Sequence, residues 1–264
     1  MPNDRPVNSA PMLRLERISK WFAQRDGNPL QVLKDIDITV PTNSIVALLG
    51  ASGCGKSTLL NIVAGLITPD RGRVFLEGEP ASESFDWRAM TYMFQEDRLL
   101  PWRTAMQNVA FGLEALGVGR IERSERAMQA LAMVGLEQFA NAFPHELSGG
   151  MRSRVALARS LVTRPKLLLM DEPFSKLDPS IRSQMHAEVL RLTKMTATTV
   201  LFVTHDIEEA AVLADRIVLL QPRPGRVREA IDVSLPHPRH AASPEVVASV
   251  QAIRQKMHAE AACV

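Results

Sequence analysis

The segment Gly50-Ala51-Ser52-Gly53-Cys54-Gly55-Lys56-Ser57 constrains the fold of this 264-residue chain more than any other. It matches the pattern of a phosphate-binding loop, and it lies between a short apolar run, 44–49, and a helical pattern, 56–66. In such a loop the glycines let backbone amides turn toward phosphate oxygens, and the helix N-terminus adds positive potential. The lysine reaches the β- and γ-phosphates, and the serine binds Mg²⁺. The segment therefore predicts a strand–loop–helix unit that binds a nucleoside triphosphate.

A second feature is the apolar run 167–170, which ends in Asp171 and Glu172. Asp171 is placed to hold Mg²⁺, often through water, and Glu172 to orient and deprotonate a water in line with the γ-phosphate. Strand ends are often polar, so the pair alone leaves a purely structural role open. Its combination with the phosphate loop favours a catalytic role.

Between these two motifs lies Leu147-Ser148-Gly149-Gly150-Met151. Ser148 can cap a helix that begins at Gly149, which leaves free amides and a positive helix end that favours an anion. By itself Ser-Gly-Gly is more often a turn followed by a helix cap, because these residues dominate turns. The order of the three motifs decides against that interpretation and suggests that two chains share each nucleotide.

The remaining patterns predict an α/β fold. Period-two alternation in 32–40, together with 13–22, indicates an antiparallel sheet, and the apolar runs 166–170 and 199–203 indicate a parallel central sheet. Helical patterns at 106–116 and 122–134 indicate a helical insertion, and Ser243-Pro244-Glu245 begins a last helix that extends to about residue 258.

We therefore expect one main domain with two flanking segments. The expected division is a flexible tail at 1–12, a nucleotide-binding domain at 13–235 with a helical subdomain at about 88–164, and a C-terminal tail with a short helix at 236–264.

Composition narrows the functional classes. The chain has 31 Lys and Arg against 29 Asp and Glu, and the basic residues are scattered, so no nucleic-acid partner is expected. No apolar run is long enough for a membrane span and the start lacks the apolar core of a secretory signal, which predicts a cytosolic chain. Two cysteines cannot form a disulfide framework. Cys54 precedes a helix N-terminus, which predicts a thiolate that an alkylator attacks and that nucleotide protects.

In the order of these motifs, the sequence resembles the ATP-binding-cassette (ABC) ATPases, the nucleotide-binding subunits of membrane transporters, from residue 13 to about residue 228. The resemblance implies a P-loop NTPase core with a mixed or parallel sheet, an N-terminal antiparallel β subdomain and an inserted α-helical subdomain. It also implies a head-to-tail homodimer that sandwiches two ATP molecules. In that dimer the signature 147–151 of one subunit closes over the γ-phosphate held by the phosphate loop of the other.

The resemblance assigns further residues. Gln95 matches the glutamine that touches Mg²⁺ and the attacking water and links them to the membrane subunit. His205 matches the switch histidine that contacts the γ-phosphate and Glu172, although a histidine after a strand is by itself more often a capping or surface residue. Phe22 matches the aromatic residue that stacks on adenine, with Trp21 as the alternative; by itself an aromatic residue here would usually be core.

The implied sites form three sets. The catalytic set is Glu172, His205, Gln95 and Lys56. The metal ligands are Ser57, Gln95 and Asp171. The residues implied to bind ATP, which include a dimer-contact aspartate at 178, are Phe22, Gly50, Ser52, Gly53, Cys54, Gly55, Lys56, Ser57, Thr58, Ser148, Gly149, Gly150 and Asp178.

Two runs narrow the branch of the family. Phe94-Gln95-Glu96-Asp97-Arg98-Leu99-Leu100-Pro101-Trp102 and Pro222-Arg223-Pro224-Gly225-Arg226 are similar to the nitrate, sulfonate and taurine importer ATPases. This likeness implies a peripheral subunit on the cytoplasmic face of the cell (inner) membrane, bound to transmembrane permease subunits and indirectly to a periplasmic or extracellular solute-binding protein. Leu99, Leu100 and Trp102 are candidates for permease contact, with a packing role open for Trp102. The sequence does not identify the solute.

Two alternative functions are weighed against this one. A soluble ABC-type ATPase of repair, translation or cluster assembly usually carries paired cassettes, coiled coils or metal motifs, and the sequence has none of these patterns. A non-catalytic nucleotide-binding regulator is expected to have lost Glu172 or His205, and both are present.

Three positions depart from the family pattern. Asn43-Ser44 replaces Gly-Glu, where asparagine tolerates a positive φ. Ser153 replaces a glutamine. Lys176 replaces a small residue, and we expect this cation to lie near the partner's nucleotide, so that Lys176→Ala changes the apparent affinity for ATP.

Overall fold

The structure is a computed structural model that describes residues 10–24, 27–81 and 86–258. It contains a four-stranded antiparallel sheet and a six-stranded mixed sheet. The first sheet has the strand order β2-β1-β4-β5, with β1 Leu13–Ala23, β2 Pro29–Val40, β4 Arg71–Leu76 and β5 Glu79–Pro80. The second has the order β10-β9-β3-β8-β7-β6, with β3 Ile45–Gly50, β6 Met90–Met93, β7 Leu167–Asp171, β8 Thr199–Thr204, β9 Arg216–Gln221 and β10 Arg226–Asp232.

Seven α-helices are described. They are α1 Lys56–Val63, α2 Ala105–Ala115, α3 Arg120–Met133, α4 Gly149–Leu161, α5 Pro179–Thr196, α6 Ile207–Leu213 and α7 Pro244–His258. Short 3₁₀ turns lie at Trp87–Ala89, Glu137–Phe139 and Pro144–Glu146. None of the helices in the described ranges is long and apolar enough to cross a membrane.

The predicted fold class is confirmed. β1 pairs with β2 in antiparallel register, while β3, β6, β7, β8 and β9 run parallel and only β10 is antiparallel to its neighbour. All residues of β3 and β8 are buried. Alternate residues of β3 face two apolar clusters, one with the helices α2 to α7 and one with α1 and the antiparallel sheet. Burial on both faces explains why these strands read as continuous apolar runs.

Helix ends differ slightly from the predictions. α1 ends at Val63 rather than near residue 66, because Gly65 adopts a φ of 71° and its amide donates to the carbonyl of Ile62. The last helix is confirmed as α7. Asn43 has a φ of 57°, as expected for its turn.

The two flanking segments contact the folded domain where the structure describes them. Residues 1–9 of the expected tail lie outside the described residues, and so do 259–264 at the other end. Met12 is 3% exposed, and its carbonyl accepts a hydrogen bond from the amide of Glu77. Near the other end, the buried guanidinium of Arg239 donates to the carbonyls of Ala211 and Ala214 in the α6 region. Both segments are therefore attached to the domain, at Met12 and at Arg239.

Candidate functional site

The phosphate loop connects β3 to α1. Gly53 and Gly55 have φ values of 78° and 93°, which favour glycine and turn the backbone around the loop. Lys56 is only 6% exposed, and its Nζ donates to the carbonyl oxygens of Gly50 at 2.7 Å and Ala51 at 3.0 Å. The loop thus curls around its own ammonium group, while Ser52, Gly53 and Ser57 are exposed and Thr58 is half-buried.

Close contacts hold this loop from behind. A Cβ added at Gly50 would lie 2.6 Å from the carbonyl oxygen of Leu220, and one at Gly55 would lie 2.6 Å from Leu33 Cδ2. A Cβ at Gly225 would lie 2.2 Å from the carbonyl oxygen of Cys54. Real Cβ atoms do not approach so closely, so β2, the end of β9 and the β9–β10 turn fix the position of the loop.

The expected thiolate at Cys54 is wrong. Cys54 is fully buried, and this burial raises the pKa of its thiol above the usual range. The nearby positive charge of Lys56 lowers the pKa, but it does not overcome the loss of hydration. Cys54 therefore contributes its backbone, and not a reactive side chain, to the loop surface.

Asp171 and Glu172 follow at the end of β7. Asp171 is 6% exposed, and burial raises the pKa of its carboxyl group, against a hydrogen bond with the Ser57 side chain that lowers it. Its Oδ1 is buried without a hydrogen-bond partner among the described residues. Glu172 adopts a φ of 46°, an unusual conformation for a non-glycine residue, and its amide donates to the carbonyl of Val203 at 3.0 Å.

Two of the predicted catalytic residues converge on the carboxylate of a third, Glu172. Gln95 Nε2 donates to Glu172 Oε2 at 3.2 Å, and His205 Nδ1 lies 3.3 Å from Glu172 Oε1. Gln95 follows β6 and His205 follows β8, so the parallel order β8-β7-β6 brings both to the strand that carries Glu172. The histidine side chain is 58% exposed, which leaves its ring accessible to a ligand.

The signature segment forms an exposed, capped helix end. Ser148 Oγ accepts a hydrogen bond from the amide of Met151 at 3.3 Å, and both Ser148 and Gly149 are exposed. Gly150 lies next to the segment that precedes α5, since a Cβ added there would lie 3.9 Å from the carbonyl oxygen of Lys176. Ser153, the second departure from the family pattern, is buried and donates to the carbonyl of Gly149 at 3.2 Å.

Two arginines of α4 connect this helix to the loop that carries Gln95. Arg152 Nε lies 3.0 Å from Asp97 Oδ2, and the same side chain donates to the carbonyl of Leu147 at 2.8 Å. Arg159 donates to the carbonyls of Asp97 at 2.6 Å and Arg98 at 2.8 Å. Neither arginine was predicted from the sequence, although their spacing of two helical turns puts them on one helix face.

Asp178 and Lys176 lie at the start of α5. Asp178 Oδ1 accepts a hydrogen bond from the amide of Ile181 at 3.1 Å, so it caps the helix, and its side chain is exposed. Lys176 is exposed as well. Its effect on ATP affinity stays a prediction.

The aromatic and permease-contact candidates differ in exposure. Phe22 is 38% exposed, whereas Trp21 is half-buried beneath the guanidinium of Arg71. In the 94–102 run, Trp102 is 71% exposed, which argues against a packing role. Leu99 is 8% exposed and belongs to the core, so its expected contact with a permease is wrong.

The expected Mg²⁺ ligands fit a hard cation. Ser57 and Asp171 offer oxygen atoms that are in contact with one another, and the unpartnered Oδ1 of Asp171 is the kind of buried group that a cation stabilises. The described residues contain no cluster of three His, Cys, Asp or Glu side chains that would hold a metal unaided.

Comparisons with known proteins agree with this geometry. The family model described as "ABC transporter" matches residues 33–175. The chain is 46% identical over 222 residues to the taurine import ATP-binding protein TauB of Rhizobium johnstonii, which covers 84% of each chain. It is 47% identical over 218 residues to the protein of the same name from Pseudomonas savastanoi pv. phaseolicola, with 83% of this chain and 82% of the other covered.

Among solved structures, the chain is similar to the ATP-binding cassette MJ0796, described as the dimeric structure of a post-hydrolysis state bound to ADP and Pi. The TM-score is 0.78 at 31% sequence identity, and the match covers 85% of this chain and all of the other.

Proposed function

Since the chain belongs to the ABC transporter family and is an ATPase, we propose that two copies sandwich two ATP molecules and power the import of a small solute through a membrane permease. The observation that carries the ATPase mechanism is the convergence of Gln95 and His205 on Glu172, beside the phosphate loop. The importer part is supported by the name of the relative that matches 84% of this chain, a taurine import ATP-binding protein.

In the proposed mechanism, Lys56 and the loop amides bind the β- and γ-phosphates. Glu172 takes a proton from the attacking water, a contribution of about 10²- to 10⁴-fold to the rate. His205 and Gln95 hold the Glu172 carboxylate from two sides, and the exposed edge of His205 is free to contact the γ-phosphate. The adenine ring of ATP stacks on Phe22.

Mg²⁺ neutralises charge on the phosphate oxygens when it is bound. Ser57 and Asp171 would hold it, with Gln95 as the third protein ligand. Burial raises the pKa of the Asp171 carboxyl group. In this arrangement the positive charge of Mg²⁺ would stabilise its ionised form.

The proposed dimer uses the capped end of α4. Ser148 and Gly149 present backbone amides and the positive helix end to the γ-phosphate held by the partner subunit. Asp178, exposed at the start of α5, contacts the partner beside it. The dimeric description of the related cassette supports this pairing.

The membrane side is proposed from the 94–102 run and from the relatives' names. Trp102, exposed on the loop that Arg152 and Arg159 tie to α4, is the candidate contact with a permease. The subunit would then lie at the cytoplasmic face of the cell membrane. The solute class that the relatives favour is a small sulfonate of the taurine type, with a solute-binding protein as the indirect partner.

Glu172→Gln tests the mechanism. The variant keeps the shape of the side chain but removes the base, so we expect ATP to stay bound while turnover falls at least about 100-fold. Retention of ATP and Mg²⁺ on a dimer is measured by gel filtration, and phosphate release gives the rate. Glu208→Gln, an exposed glutamate in α6, is the matched control. Wild-type turnover in Glu172→Gln would contradict the assigned base.

Affinity purification of the chain from mild-detergent extracts of its native membranes tests the transport role. We expect a multi-span permease among the co-purified proteins. If the chain is absent from membranes and only soluble partners are recovered, a soluble ABC-type ATPase becomes the better explanation.

A further inference from the structure

A second polar cluster lies behind the Glu172 site, between α5 and α6. His186 and Glu209 are 9% and 6% exposed, and His186 Nε2 lies 3.7 Å from Glu209 Oε1. Among the described residues neither atom has a hydrogen-bond partner. The distance is too long for a hydrogen bond, so two buried polar atoms face each other without being paired.

Glu209 is connected through the hydroxyl group of Thr204 to the residues on both sides of His205. Its Oε2 accepts a short hydrogen bond from Thr204 Oγ1. The same hydroxyl oxygen accepts a hydrogen bond from the amide of Asp206 at 2.9 Å. Since Thr204 and Asp206 flank His205, the Glu209 carboxylate contacts the segment that carries the histidine.

His186 is connected to the strand end that carries Glu172. Its ring packs edge-on against Phe174, with ring centroids 4.7 Å apart. Phe174 is 1% exposed and lies two residues after Glu172. Phe174 follows Glu172 in the chain and contacts His186, and His186 faces Glu209, which is hydrogen-bonded to Thr204 next to His205. His205 Nδ1 in turn lies 3.3 Å from Glu172 Oε1, so this series of neighbours begins and ends at Glu172.

α5 also connects this series of neighbours to the proposed dimer surface. One helical turn before His186, Arg182 pairs with Asp206 at 3.3 Å and donates to the carbonyl of Leu177 at 3.2 Å. The helix begins at its cap Asp178, the proposed contact with the partner. A shift of α5 toward α6 of under about 1 Å would bring His186 Nε2 into hydrogen-bond range of Glu209.

We propose that His186 is a positioning residue that pairs with Glu209 when the start of α5 meets the partner subunit, and that this contact sets His205 against Glu172. The inference rests on the proposed function, because it takes the roles of Glu172, His205 and Asp178 from it. His186 touches neither nucleotide nor water in this scheme. It converts formation of the dimer into a fixed geometry of the catalytic pair.

The test compares His186→Leu with His186→Gln in the full chain, assembled with its permease. Leucine removes the donor, whereas glutamine keeps an amide nitrogen that can reach Glu209. We expect His186→Leu to lower kcat on the order of 10-fold with an unchanged KM for ATP, because small misalignment of a catalytic group is costly. His186→Gln should restore most of the rate. His240→Leu, at an exposed histidine before α7, is the control.

Glu209→Gln provides a second route if the leucine variant does not fold. It preserves shape but removes the carboxylate, and we expect the same loss in kcat. In the double variant His186→Leu/Glu209→Gln the loss should not exceed that of either single change, since both break one contact.

Three results would overturn the proposal. They are wild-type kcat in both His186→Leu and Glu209→Gln, a His186→Gln variant as slow as His186→Leu, or a loss seen in KM or melting temperature instead of kcat. Wild-type turnover in Glu172→Gln would instead refute the proposed function, whatever the His186 variants do.

Discussion

The phosphate-loop half and the signature half of the site are built differently. All contacts that hold the phosphate-loop half come from one chain. Lys56 and Cys54 are buried, and Gly225, in a turn that is distant in sequence, packs closely against the loop. In the signature half, Ser148 and Gly149 are exposed at a helix end, and the supporting arginines lie farther along α4. Under the proposed function this difference separates nucleotide binding from turnover, because the phosphate-loop half would bind nucleotide within one chain and the signature half would act on the nucleotide of the partner subunit.

The largest effect is expected in the phosphate-loop half. Lys56→Ala removes a charged donor to the phosphates, and we expect nucleotide affinity of the isolated chain to fall on the order of 100-fold, because hydrogen bonds to charged groups are among the strongest. Titration with a fluorescent ATP analogue measures it, with the exposed Lys194→Ala as control. An unchanged Kd would mean that the loop does not hold the phosphates.

The signature half should respond in the opposite way. Ser148→Ala removes the helix cap, at about 1 kcal/mol, and the hydroxyl that would face the partner's nucleotide in the proposed dimer. We expect turnover to fall on the order of 10-fold, while the isolated chain binds nucleotide as before. Ser124→Ala, at an exposed serine of α3, is the control. A parallel loss of nucleotide binding by the isolated chain would break the comparison, since Ser148 would then serve its own chain's nucleotide.

Support of the loop from behind gives a smaller effect. In Gly225→Ala the new Cβ would meet the carbonyl oxygen of Cys54, so the loop must shift. We expect nucleotide affinity to fall a few-fold, to about 10-fold, with a lower melting temperature, because overpacking of this kind typically costs about 1–3 kcal/mol. Gly119→Ala has open space around its Cβ and serves as the control. Equal affinities in the two variants would show that the β9–β10 turn does not set the loop.

Local sequence patterns predict the strands and helices but not the contacts between segments that are distant in sequence. The runs at 166–170 and 199–203 predicted β7 and β8 because strands buried on both faces must be apolar throughout. The pattern at 106–116 predicted α2 to within one residue at each end.

The contacts between distant segments escaped prediction. Nothing near Leu99 in sequence indicates that it packs into the core. The approach of His186 to Glu209 depends on how two helices meet, which no periodicity encodes. The loop residues were recognisable as a motif, whereas the residues that hold them were not.

At Cys54, too, the neighbours in sequence do not reveal the burial of the residue. The labelling of its thiol is the smallest of the expected effects. Its neighbours in sequence predicted a thiolate, but burial raises the pKa of the thiol. A raised pKa means that the neutral form persists to higher pH, so the reactive thiolate is scarcer near pH 8 than in a free cysteine.

In a Cys263→Ser background, which leaves one thiol, we expect maleimide to label Cys54 more slowly than a small thiol and the rate to keep rising above about pH 9. The unfolded chain should react at the ordinary rate. Rapid labelling at pH 7 that ATP abolishes would instead place the thiol on the solvent-exposed side of the loop. The phosphate-loop half would then not be buried at Cys54.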